Sequence, residues 1–234
     1  IQRFHHYEDL LFYGALSSDE MNSFPMHAFF LLGDLRAKES EKVIWEVMRQ
    51  HNDYYDLFFG DVYTEYMWEP LYKIYQDDFD TLRAYMKEPG MFSYSKAAIM
   101  DVVMQVGLHD SKRKAEAAQW FIDMLDFFNN CNVEDNILDT ETTGFLIWGL
   151  MKLDIDYIPP VIKELYDKGW VEISMLGDYE ELKSIWDKPT DKNVIREILP
   201  TAERYQYISE NWNMGNTDSD PNLIYDDNEP EDDF

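Results

Sequence analysis

The chain has 234 residues, 47 of them Asp or Glu against 20 Lys or Arg, for a net charge of −27. At 45% hydrophobic and 16% aromatic residues it can bury enough apolar area to offset chain entropy, which excludes a wholly disordered chain. The acidity argues against nucleic acid as a direct partner, because phosphate binding draws on clustered Lys and Arg, and no apolar run approaches the ~18 residues of a membrane span. The start, Ile1-Gln2-Arg3-Phe4, has neither a signal-peptide layout nor an initiator Met, so a truncated N-terminus is the expectation. A single cysteine, Cys131, leaves no internal disulfide and no Cys-rich metal framework, in keeping with a reducing, cytoplasmic compartment.

Apolar residues recur at helical spacing almost everywhere. A first helix is expected near residues 4–16. Four helix pairs follow: 25–36 with 39–50, 62–75 with 79–87, 94–107 with 112–129, and 139–151 with 157–168. The clearest stripe is Trp120, Phe121, Met124, Leu125 and Phe128 on one helix face. Another is Ile158, Val161, Ile162, Leu165 and Tyr166, with Pro159-Pro160 in the first turn and Gly169 as the stop. Hairpin signals are absent. The one strand-like run, residues 170–176, has nothing to pair with and reads as an extended connector. A last helix is expected near residues 193–207.

The leading helices begin near residues 25, 62, 94 and 139, at intervals of 37, 32 and 45. This irregular period near forty, without the tetratricopeptide signature, predicts an all-α fold, a HEAT- or armadillo-like α-solenoid of about four antiparallel helix pairs. In three pairs the leading helix is apolar on most sides, as in Ala97, Ala98, Ile99, Val102, Val103 and Val106, and should be buried between neighbours. Residues 1–204 read as a single helical-repeat domain. From Tyr205 on there is no Lys or Arg but nine acids, so residues 205–234 read as an acidic tail, largely disordered or loosely docked.

Pro25-Met26-His27-Ala28-Phe29-Phe30-Leu31-Leu32, followed by Gly60-Asp61-Val62-Tyr63-Thr64-Glu65, resembles a bacterial family catalogued as domain of unknown function 1186, itself similar to HEAT-repeat proteins. The resemblance continues through Tyr94-Ser95-Lys96-Ala97-Ala98 and Asp178-Tyr179-Glu180 to Leu182, and covers roughly residues 23–188. It implies a helical-repeat fold and brings no activity with it. Many members of that family end in a Cys/His zinc motif like that of the SecA C-terminus. Here Cys131 is alone and no His follows His109, so that zinc is not expected.

Candidate chemistry is sparse. His27 and Asp34, two helical turns apart, could handle a proton or a metal, but a metal needs three or four converging ligands. Asp61, Thr64 and Glu65 could form an acid/base group, yet Asp at an N-cap with Thr and Glu in the first turn is what a helix start uses. His5-His6 point about 100° apart on a helix and would share one ion poorly. Asn216, Asp218, Asp220 and Asp227 follow a calcium-loop spacing, with Pro221 where that loop requires Gly. Cys131 has no neighbouring His or basic residue to activate it. No catalytic residue, cofactor or metal is therefore expected.

The aromatic-rich run holding Tyr66, Trp68 and Tyr72, with Glu69 among them, is wider than one helix can bury and is the candidate partner-binding face. The resulting expectation is a non-enzymatic scaffold or adaptor whose concave acidic face binds a protein or peptide, most suitably a basic one. The alternative is an acidic nucleic-acid mimic that blocks a basic nucleic-acid-binding protein. An enzyme of unrecognised class is a weaker alternative.

Overall fold

The computed structural model describes residues 24–186, 188 and 194–211. The expected helix at 4–16, the His5-His6 pair and the calcium-like spacing at 216–227 lie outside them, as does the tail after Asn211. The described residues form α-helices, short 3-10 turns and connecting loops, with no strand among them. The α-helices are α1 (Phe24–Asp34), α2 (Glu41–Met48), α3 (Asn52–Phe58), α4 (Val62–Tyr66), α5 (Trp68–Tyr75), α6 (Phe79–Met86) and α7 (Ser93–His109). They continue as α8 (Lys114–Asn129), α9 (Thr140–Lys152), α10 (Pro160–Asp167), α11 (Ile173–Leu176), α12 (Tyr179–Trp186) and α13 (Thr201–Asn211). By contact the chain divides into two compact units, Ile1–Ile198 and Leu199–Phe234, and α13 belongs to the second.

Three departures from the periodicity have local causes. The stretch 62–75 is two helices, because Pro70 has no N–H to bond the carbonyl of Tyr66, and the chain breaks at Met67. Residues 170–176 are not an extended connector. They close into α11, where the Glu172 carboxylate accepts from Ser174 N at 3.2 Å and Gly177, at φ 72°, ends the turn. A lone strand would leave its main chain unpaired, whereas a helical turn satisfies it locally. The last helix starts at Thr201, well after residue 193, because the residue before Pro200 is pushed away from helical angles.

The leading helices form a row in which α1 packs on α5, α5 on α7, and α7 on α9. Behind it, α8 contacts α6, α7, α9 and α10. Two glycines let neighbouring helices approach closely. A Cβ on Gly33 would lie 2.6 Å from the Pro70 Cα, and one on Gly149 2.6 Å from the Phe121 ring. Aromatic side chains join the first pair to the second, with Trp45 stacked on Tyr85 at 4.7 Å and tilted against Tyr75 at 4.9 Å. Helix starts are fixed by acids: Asp78 accepts from Thr81 N at 3.1 Å, and Asp139 accepts from Thr142 N at 2.6 Å.

α7 is the most enclosed element. Every residue from Val102 to Gly107 is buried, whichever way it faces. Its neighbours α5, α6, α8 and α9 cover its sides.

Candidate functional site

On such a helix a polar side chain needs a partner, since an unpaired buried amide costs about 1–3 kcal/mol. Asp101, Gln105 and His109 are spaced four apart and share one edge of α7. All three turn to the same segment, residues 194–198, which bends at Ile195 and runs on without regular structure.

Gln105, 0% exposed, turns both ends of its amide to main chain. Its Nε2 donates to the Val194 carbonyl at 2.7 Å, and its Oε1 accepts from the Arg196 N–H at 3.1 Å. One turn on, His109 Nε2 lies 2.9 Å from the Arg196 carbonyl. A carbonyl only accepts, so this nitrogen carries the proton. One turn back, the Asp101 carboxylate accepts from the Arg196 guanidinium at 2.8 Å. The guanidinium also lies over the Trp68 ring, 5.6 Å from its centroid.

Along this strap, half-buried Val194, Arg196 and Ile198 alternate with exposed Ile195 and Glu197. Ile198 packs against the core.

Burial raises the Asp101 carboxyl above the ordinary carboxylate range. The Arg196 charge and hydrogen bond pull it back down, and Glu65 adds a smaller upward push. Asp101 is thus a half-buried acid, with Arg196 as its charged partner.

The four residues proposed from sequence divide around this edge. Trp68 is 1% exposed and Tyr72 8%, so neither is a freely exposed anchor. Both nevertheless meet the site, Trp68 under Arg196 and Tyr72 with its ring 5.9 Å from that of His109. Glu69 is fully buried on another side of α5, 3.5 Å from Lys73, which also bonds Asp34 of α1 at 2.7 Å. Tyr66 is half-buried. An open aromatic stripe is therefore not what α4 and α5 present: these rings serve packing first, because Pro70 and Gly33 bring α5 tightly against α1. Asp101, Gln105, His109 and Arg196 escaped the sequence reading. The signal was there in the fourfold spacing of polar residues along an otherwise apolar helix.

The other candidates have structural duties. Asp34 is held by Lys73. Asp61 makes no side-chain cap, contrary to its expected role; the Thr64 hydroxyl donates to the Asp61 carbonyl at 2.9 Å instead. Cys131 is half-buried, burial pushes its thiol up, and its sulfur donates to the Phe127 carbonyl at 3.3 Å. An acidic cleft of about 370 Å³ lies between α6 and α8, lined among others by Asp77, Asp80, Glu116 and Asp123. Its acids are met by Arg83 and Arg113. Among the described residues no three His, Cys, Asp or Glu side chains gather as a metal site, and no helix is long and apolar enough to cross a membrane.

Comparison with curated proteins and with solved structures finds no match. The family model described as Protein of unknown function (DUF1186) matches residues 6–214, and the chain, with its all-helical fold and the polar edge of α7, belongs to that family.

Proposed function

We propose that this chain is a non-enzymatic, cytoplasmic helical-repeat scaffold that binds a protein or peptide partner. The row α1, α5, α7 and α9, backed by α6, α8 and α10, supports a HEAT-like reading of the helix pairs. The observation that carries the binding role is the grip of Gln105. A buried side-chain amide that donates to and accepts from one stretch of main chain holds what every peptide has, whatever its sequence. The net charge of −27 favours a basic partner by steering and by repelling anions.

The test is selection from a displayed library of random peptides, with the wild-type chain and its Arg196→Glu variant as parallel baits, at about 0.15 M and about 0.5 M salt. Enrichment over an unrelated acidic protein, kept in part at the higher salt, supports the scaffold. If neither bait enriches any peptide, the reading fails. Retention that vanishes completely in salt, without sequence preference, would point to charge mimicry.

A further inference from the structure

We infer that the edge of α7 bearing Asp101, Gln105 and His109 is a seat for a peptide from another protein that carries an arginine two residues before an aliphatic residue, and that residues 194–198 occupy this seat in cis. The inference rests on the scaffold reading and names the partner chemistry and the regulation of the same site.

The occupant displays the code. Arg196 reaches Asp101 and Trp68 and Ile198 packs against the core, so a competing segment needs an Arg and, two residues on, an aliphatic residue. Arginine is demanded by two features together: a carboxylate 2.8 Å from the guanidinium and an indole face 5.6 Å away. A planar guanidinium can donate to the acid while lying over a ring, whereas a lysine ammonium is a compact, strongly hydrated charge. Gln105 and His109 fix the register by holding the main chain on both sides of Ile195 and after Arg196.

The contacts on the strap are those of a bound ligand and not of a core element. None of its side chains is fully covered, and hydrogen bonds, the Asp101–Arg196 ion pair and the packing of Ile198 hold it. Such a segment can be displaced by a better copy of itself. A peptide in trans repeats its bonds one for one, so the strap sets a threshold that only a matching segment overcomes. Docking in cis is favoured by the high effective concentration of a tethered segment, which makes closure the resting state.

Fluorescence anisotropy of a labelled peptide with the sequence of residues 192–200 tests this on the full chain. The wild type should bind weakly and Arg196→Glu, whose strap is repelled by Asp101, at least tenfold more tightly. The same peptide with its arginine changed to alanine should lose at least tenfold on the Arg196→Glu chain. Gln105→Leu or His109→Ala added to that chain should weaken binding of the arginine peptide, with circular dichroism and melting temperature confirming a folded parent. The inference is overturned if unlatching the strap leaves affinity unchanged, if the arginine and alanine peptides bind alike, or if both seat variants are indifferent. A concentration-dependent dimer that excludes the peptide would also overturn it, by assigning the seat to a second copy of the chain. Selection of random peptides that lack the arginine pattern sinks this inference and leaves the scaffold reading standing; failure of every peptide removes both.

Discussion

Replacing Arg196 by alanine isolates what holds the strap. The guanidinium makes one charge-assisted hydrogen bond to Asp101, worth about 1.5–3 kcal/mol where solvent is excluded. Its side chain is 35% exposed and that of Asp101 20%, so screening reduces the bond to roughly 1–2 kcal/mol. The contact with Trp68 adds about 0.5 kcal/mol. Loss of both, about 2 kcal/mol, should raise the opening of the strap roughly 30-fold. Hydrogen exchange at the Arg196 amide reads this directly, because that N–H is held by Gln105 Oε1 whenever the strap is docked. In an Asp101→Asn background the same substitution should cost only about 0.5–1 kcal/mol, leaving a coupling of about 1–1.5 kcal/mol between the two side chains. Equal acceleration in the two backgrounds would refute the claim that this ion pair latches the strap.

The Asp101 carboxyl titrates above its ordinary 3.8 because of burial, so the folded state holds its proton longer than the unfolded chain does. Its contribution to stability is therefore best at low pH and is lost as pH rises from the ordinary value through the raised one. Arg196→Ala should move this titration higher still, as carbon-detected NMR of the carboxyl would show; a downward shift would contradict the assigned cause. Gly33→Ala should destabilise by about 1–3 kcal/mol in urea melts, since its Cβ would meet the Pro70 backbone at 2.6 Å. Gly60→Ala, at φ 51° with no atom within reach, should cost only the roughly 1 kcal/mol of a left-handed alanine. If the two are equal, α1 and α5 are not as close as described. Asp139→Ala removes the cap on Thr142 N and should cost about 1–2 kcal/mol, with Asp139→Asn retaining most of it; thermal melts that rank the two substitutions alike would count against the cap.

How much could be read beforehand follows from range in sequence. The apolar runs of α7 and α9 are local, and they announce buried helices without ambiguity. The break at Met67 is also local and written in Pro70, although the continuous aromatic pattern of residues 62–75 reads straight through it. The site is different in kind. Asp101, Gln105 and His109 taken singly look like the solvated edge of a helix, and nothing nearby distinguishes that from an edge matched to distant main chain. Their meaning depends on Arg196, which sits 95 residues from Asp101. Trp68 was legible as an aromatic of interest, but whether indole meets solvent, core or guanidinium is decided by that same long-range pairing. Glu69 was misplaced because a carboxylate amid aromatics suggests an exposed rim, whereas Lys73 one turn on accompanies it into the interior.

The order in which the polypeptide emerges during synthesis gives the strap a temporal side. Arg196 follows His109 by 87 residues, and at roughly 5–20 residues per second the ribosome needs about 4–17 s to deliver it. During that interval α7 and its leading neighbours can already assemble, with the Gln105 amide and the Asp101 carboxylate facing whatever is at hand. Every newly made molecule passes through a window in which its own occupant does not yet exist, and a chaperone or a nascent partner arriving then meets no competition.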